Sequence, residues 1–269
     1  MVLTSGRCPL HPAERCPAHI FRPRLPPEHR PIKETMPRRL YLLELFAGTH
    51  SVSRALRRSR IARDFEIRLL SVDREQKFSP TIVADVNSWR YKDAIDEFLR
   101  GAKRRDMVAI WASPPCQEFS LAKNGRPRDL EAGTRTVKSA LRIIKYVEAN
   151  FPARSFWFVE NPVGLLQYQA FMQKYNRYLN ATCYCKFGFP IKKPTSIWSN
   201  VEDLALPMCN SQTPCKSRRL HGRHLITVQS GDAEHGGGLG GGEKAFPIPP
   251  QLIRHLFKKG IASHGPPDG

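Results

Sequence analysis

Two residues carry the clearest chemistry in this sequence: Cys116, in ASPPCQEFS, and Glu160, in SFWFVENP. A thiol becomes a strong nucleophile when it ionises, and a carboxyl group nearby can supply or take the proton that an addition needs. Cys116 follows Pro114 and Pro115, which stiffen the backbone, and precedes Gln117 and Glu118, so it belongs to a rigid polar loop. A packed core cysteine is the commonest fate of a free thiol, and this setting argues against it. Glu160 emerges with Asn161 and Pro162 from an otherwise apolar strand. Alone it reads as an ordinary loop acid. On a strand next to the one that delivers Cys116, it reads as the partner of a nucleophile in one pocket.

A second set of residues suits a cofactor. LELFAGTHS passes from a strand that carries an acid into a small-residue turn, Ala47, Gly48 and Thr49, and then into a helix near Ser51. Such a turn lets a ligand approach the backbone, and the helix start offers free amides. The GxGxxG spacing of dinucleotide binders is absent, and a lone turn of this kind often serves packing only. The next strand ends at Asp73 in SVDRE, where a carboxylate can accept from ribose hydroxyls, and Asp85 ends the following apolar run, IVADV. Each acid alone is an ordinary strand-end residue; their order at successive strand ends is what supports a site.

The elements that must position these groups follow from periodicity. From Tyr41, short apolar runs (YLLELF, IRLLSVD, MVAIWAS, SFWFVEN) alternate with amphipathic stretches (SVSRALRRSRI, YKDAIDEFL, a helix over about 136–148, a helical region near Phe171). Buried strands alternating with helices predict an α/β fold: a doubly wound, mostly parallel sheet with its site at the carboxyl ends of the strands. Regularity falls away after about Ala181, and a last helix over about 249–258 opens on prolines. The expected organisation is a basic Pro/Arg-rich tail without structure (1–39), a catalytic domain (40–200), a small irregular region with a Gly-rich loop (201–244), and a C-terminal helix that completes the domain (245–269). Met36 stands before PRRLYLLELF, which leaves the start open between Met1 and Met36. An Arg-rich organellar leader is an alternative reading of the tail.

Composition narrows the partners. Lys and Arg number 43 against 24 Asp and Glu, a formal charge of +19. That excess suits an acidic polymer, nucleic acid first, although a solubility charge would look the same. Seven cysteines in 269 residues do not resemble the framework of a disulfide-stapled mini-domain and suit a reducing, intracellular compartment, the nucleus or an organelle if the source is eukaryotic. No apolar run is long enough to cross a membrane, no secretory signal is recognisable, and the chain reads as a soluble monomer. Cys209, Cys215, His221 and His224, with Cys183 and Cys185 upstream, could ligate a structural zinc, or be ordinary loop cysteines and nucleic-acid-facing histidines. SRRLHGRH is a candidate phosphate-contacting stretch in either case.

FAGTHS, SVDRE, ADV, SPPCQ, FVENP and a terminal IPPQL occur in the order of the motifs of the cytosine carbon-5 DNA methyltransferases, which the chain resembles over roughly 40–256. With FGFPIKKPTSIWSN it is most similar to compact phage, viral and algal members. The resemblance implies a class I, Rossmann-like methyltransferase fold and S-adenosylmethionine as methyl donor. It implies that Cys116 attacks carbon 6 of a flipped cytosine and that Glu160 contacts ring nitrogen 3, with Gln117 and Asn161 on the substrate side. It assigns Phe46, Ala47, Gly48, Thr49, Asp73, Asp85 and Pro114 to the cofactor: Phe46 against adenine, Gly48 by the amino-acid moiety, Asp73 at the ribose and Asp85 at the adenine amine. Three features depart from the pattern: His50 replaces a glycine of the turn, Asp73 stands where Glu is usual, and the family's Gln-x-Arg-x-Arg motif has no clear counterpart. Lys192, Lys193 and Thr195 occupy about that last place. A transfer-RNA cytosine methyltransferase of the same fold, an amino-methyltransferase and a non-catalytic nucleic-acid-binding relic stay open as rivals. The second is disfavoured by cysteine where that chemistry needs an aromatic.

Overall fold

Strand β1 (Arg38–Leu45) shows how the chain builds two cores around one sheet. Tyr41, Leu43 and Leu45 point into one apolar cluster, and Leu40 and Leu42 into the other. This is the two-residue alternation of a strand covered on both faces. The same division holds in β4 (Met107–Ala112), buried at every residue, and in β5 (Ser155–Pro162). The computed structural model describes residues 37–265 apart from 122, 124–126, 153, 225 and 228–246. The tail up to Met36 and the Gly-rich run 236–242 lie outside the described residues. Arg38 and Arg39, expected in the tail, open β1.

With β2 (Phe65–Asp73), β3 (Ile82–Val83), β6 (Leu179–Cys183) and β8 (Pro194–Ser199), the main sheet has seven strands among the described residues, in the order β3-β2-β1-β4-β5-β8-β6; β7 (Ile191–Lys192) lies outside it. β7 pairs instead with β9 (Ile226–Thr227) in a separate two-stranded ribbon. The pairs from β3 to β5 are parallel, and β8 runs antiparallel between β5 and β6. This is the expected doubly wound, mostly parallel, Rossmann-like α/β sheet. Its order reverses between β1 and β4, where a crevice opens at the carboxyl ends of the strands.

Helices cover both faces. α1 (Ser51–Arg57) and α6 (Pro250–His264) pack on one side; α3 (Tyr91–Leu99) and α4 (Leu130–Asn150) pack on the other, while the short α2 (Ile61–Asp64) leads into β2. α4 forms where apolar residues recur at helical spacing: Val137, Ala140, Leu141, Ile144 and Val147 are all buried. Asp129 starts it by accepting from the Ala132 amide at 2.8 Å. The helical region near Phe171 is a 3₁₀ stretch, Ala170–Tyr178, and the last helix continues past the expected Lys258 to His264. Gly260 lets α6 sit directly on the sheet: a Cβ there would lie 2.5 Å from the Phe156 ring. Gly260→Val should therefore destabilise the chain by about 1–3 kcal/mol. Unchanged urea unfolding would show that the contact relaxes freely.

Candidate active site

The crevice at the switch point is a cleft of about 260 Å³, walled by the ends of four parallel strands. The turn after β1 supplies Phe46, Ala47, Gly48 and Thr49, and β2 supplies Asp73. The loop after β4 supplies Pro114, Cys116 and Gln117; β5 supplies Glu160; and Lys193, just before β8, closes the far side. Every one of these was expected at a site. Asp85, Asn161 and Thr195 fall outside the lining. Asp85 is exposed, and its carboxylate accepts from the Asn87 amide at 2.8 Å. Asn161 is buried behind the loop, where its amide donates to the Pro114 carbonyl at 3.0 Å and fastens the PPC segment to β5. The buried Thr195 hydroxyl donates to the Lys193 carbonyl at 3.2 Å and steadies that residue from below.

Register explains why Cys116 and Glu160 meet. β4 and β5 are paired through Ala112 and Val159, so Glu160 is the first residue of β5 beyond the last paired position and the cysteine loop leaves β4 beside it. Behind Cys116 the chain turns sharply, and the Cys116 carbonyl accepts from the amides of Phe119 and Ser120 at 3.0 and 2.8 Å. Glu118 then anchors the loop. Its carboxylate accepts from Lys123 at 2.7 and 2.6 Å and from the Asp129 amide at 2.6 Å, which holds it below its usual range. Gly164 is equally constrained: a Cβ there would lie 2.4 Å from the Phe119 carbonyl oxygen, so the segment after β5 lies flat on the loop.

Glu160 is buried but well partnered. The Tyr184 hydroxyl donates to it at 2.9 Å, and the Lys193 ammonium lies 3.7 Å away. Lys193 also sits 4.6 Å above the Tyr184 ring. Burial first, then the Glu160 charge, pushes the Tyr184 phenol well above its usual range, so it stays protonated and donates. Tyr184 escaped notice in the sequence because CYCKF carries no periodic signal. Its role depends on β8 bringing that turn against β5.

The Cys116 thiol is pushed up by burial, pulled down by Lys193 and pushed up by Glu160. Since only the thiolate reacts, alkylation of Cys116 by iodoacetamide should rise steeply with pH through and above neutrality. Lys193→Met removes the lowering charge and should slow alkylation at neutral pH; Glu160→Gln removes a raising charge and should speed it. Peptide mass spectrometry reads both, and shifts in the same direction would refute the electrostatic account.

On the opposite wall, Gly48 takes a left-handed φ of 46°, and its amide donates to Asp73 at 2.9 Å. The other Asp73 oxygen accepts from the Glu75 amide at 2.9 Å. His50, in place of a glycine, also adopts left-handed geometry with φ 57°, a strain of roughly 1 kcal/mol for a non-glycine residue. Its ring offsets the strain by a 2.8 Å hydrogen bond from Nε2 to the Phe78 carbonyl. Glu44, on β1, accepts from the first amides of α1, Val52 and Ser53, at 3.1 and 3.3 Å, and burial pushes its carboxyl up. Glu44 and Phe78 both line the cleft without having been singled out in the sequence, where an acid within an apolar strand was Glu44's only signal.

Of the cysteine and histidine candidates, the structure gathers Cys209, Cys215 and His224, joined by Cys185. His221 is a correction to the expected set. It ends the short helix α5 (Lys216–His221) exposed to solvent, away from the group. Among the described residues no helix is long and apolar enough to cross a membrane.

No family model matches the chain. It is 25% identical over 237 residues to a curated relative, the probable DNA (cytosine-5)-methyltransferase of Frog virus 3 (isolate Goorha), covering 80% of this chain and 98% of the viral protein. Among solved structures, the Entamoeba histolytica methyltransferase EhMeth aligns with a TM-score of 0.44 at 15% identity, over 66% of this chain and 58% of its own.

Proposed function

We propose, for a chain that resembles the DNA (cytosine-5)-methyltransferases along nearly the full length of a viral relative, that it methylates carbon 5 of cytosine in DNA through a covalent adduct on Cys116. The coarser reading, a methyltransferase, is supported by the order of the sheet and by the viral relative. The observation that carries the finer one is the convergence of Cys116 and Glu160 in a single cleft, with Glu160 held by Tyr184 and Lys193.

The remaining cleft residues fit S-adenosylmethionine by their chemistry. Phe46 offers an aromatic face for adenine, Asp73 offers a carboxylate at a strand end for ribose hydroxyls, and the turn from Ala47 to Thr49 leaves room beside the backbone for the amino-acid part. Pro114 borders the same space; Asp85, exposed and committed to the Asn87 amide, is the weakest member of the expected set. When bound, the cofactor supplies an electrophilic methyl group.

Carbon 5 of cytosine is too poor a nucleophile to take that methyl unaided. Once the Cys116 thiol has given its proton to solvent, the thiolate adds to carbon 6, forming a carbon–sulfur bond, while Glu160, having taken a proton from solvent, gives it to ring nitrogen 3 and the ring's electron density moves to carbon 5. Carbon 5, so activated, would take the methyl group as its bond to the donor's sulfur breaks. Loss of the carbon-5 proton to water and expulsion of the thiolate then restore the ring, and nitrogen 3 returns its proton to Glu160. The base must leave the duplex first, because carbon 6 is unreachable within the stack, at a cost of a few kcal/mol. Gln117 lines the cleft where such a base would enter, and Lys193 takes the place of the family's missing arginines beside Glu160.

An oligonucleotide containing 5-fluorocytosine tests the reading, because fluorine cannot leave as a proton and the adduct is trapped. With S-adenosylmethionine present, DNA should yield a denaturant-stable complex through Cys116, and transfer RNA should not. Adduct on transfer RNA alone would move the substrate to RNA. No adduct on either, despite methylation of ordinary cytosine, would reject the covalent route.

A further inference from the structure

We propose that Cys185, Cys209, Cys215 and His224 bind one zinc ion, which ties the basic segment from Lys216 to Arg219 to the turn that carries Tyr184. The four ligand atoms lie within 4.8 Å of one another. His224 Nε2 is 3.4 Å from the Cys209 sulfur and 3.3 Å from the Cys215 sulfur. A tetrahedral zinc with bonds of about 2.3 Å to sulfur and about 2.0 Å to nitrogen sets its ligands about 3.5–3.8 Å apart, so the cluster needs little adjustment to close on an ion. Three sulfurs and one imidazole make a complete structural set with no open position.

The surroundings suit a bound ion better than free thiols. All three cysteines are buried, and none is disulfide-bonded. The Cys215 amide points at the Cys209 sulfur at 3.4 Å, as an N–H does toward a thiolate. On binding, the three thiols release three protons to solvent, and the neutral imidazole completes a centre of net charge −1. A cation stands close by: the Lys186 ammonium donates to the Thr213 and Pro214 carbonyls, next to Cys215. Cys183 is buried beside the group but is not among the four.

The ligands come from separate segments. Cys185 lies in the 3₁₀ turn Tyr184–Phe187, Cys209 in a stretch without helix or strand, Cys215 at the start of α5 and His224 just after it. Small irregular regions of this kind commonly take their folding energy from a metal. Tyr184, whose hydroxyl holds Glu160, is the neighbour of a ligand. Lys216, Arg218 and Arg219 extend from another ligand's helix. One ion therefore sets the position of a basic surface relative to the cleft.

The test is the metal content of the purified full chain, measured by inductively coupled plasma mass spectrometry after growth with zinc. One zinc per chain is expected. Cys209→Ser and Cys215→Ser should each lower it at least tenfold, and His224→Cys should keep it, because four thiolates also serve zinc. Cys116→Ser and His221→Ala should leave it unchanged. If the serine variants do not fold, removal of metal from the unmodified chain by a chelator should lower its melting temperature, and zinc but not magnesium should restore it. Less than a tenth of a zinc per chain, or equal zinc in Cys215→Ser, overturns the proposal. Loss of zinc in His221→Ala overturns the ligand set. These readouts do not depend on methyl transfer, so the site stands or falls separately from the proposed activity.

Discussion

Cys116→Ser is expected to leave a folded chain that still binds DNA and has lost methyl transfer by on the order of 10⁴-fold or more. The expectation rests on the difference between sulfur and oxygen at one atom. Cys116 is only half-buried, and the hydrogen bonds that shape its loop come from its backbone carbonyl, which the substitution keeps. A serine hydroxyl is far less acidic than a thiol, and the Lys193 charge that eases ionisation of Cys116 is too small an aid to make an alkoxide near neutral pH. Without addition at carbon 6, carbon 5 stays unreactive. Radiolabelled methyl transfer to DNA, circular dichroism and salt-dependent DNA binding together decide the matter. Activity within tenfold of the unmodified chain would remove Cys116 as nucleophile, and loss of fold would move its importance to packing.

Glu160→Gln should lower kcat by about 10²–10³-fold, the usual contribution of a positioned proton donor, with little change in thermal stability. Glutamine can still accept the Tyr184 hydroxyl through its amide oxygen, so the substitution removes the proton and the attraction of Lys193 while preserving shape. The separation from a structural role comes from two readouts moving in opposite directions. Turnover falls because nitrogen 3 receives no proton, while alkylation of Cys116 speeds up because a charge that opposed its ionisation is gone. A decline in both would mean that the loop had shifted, and a kcat within threefold of the original would take Glu160 out of the chemistry.

The two results would separate catalyst from relic, the rival that the absent Gln-x-Arg-x-Arg motif raised. Under the proposed reading Lys193 is the cation that faces Glu160, at 3.7 Å, with its carbonyl bonded by Thr195 and its ammonium over the Tyr184 ring. The His50 substitution is likewise accommodated: the left-handed turn is kept, and the ring's bond to the Phe78 carbonyl offsets what a glycine would have spared.

The local pattern of the chain determined the doubly wound sheet, the order of its strand ends and the identity of Cys116 and Glu160. Alternation between two cores, a run of small residues after β1 and two prolines before a cysteine act within a few residues and are therefore written in the sequence. Only the tertiary structure decided what surrounds those residues. Tyr184 reaches Glu160 because β8 is inserted antiparallel between β5 and β6, a pairing with no local signal. Cys185 replaces His221 in the metal-capable group because α5 directs His221 to solvent while the turn at Tyr184 returns beside Cys209 and Cys215. Asp85 satisfies a neighbouring amide and stays outside the cleft, although its place in the order of strand ends matched the others. Spacing along a chain specifies which side chains share a strand end; which of them meet across the fold depends on register and on hydrogen bonds that close only when distant segments pack.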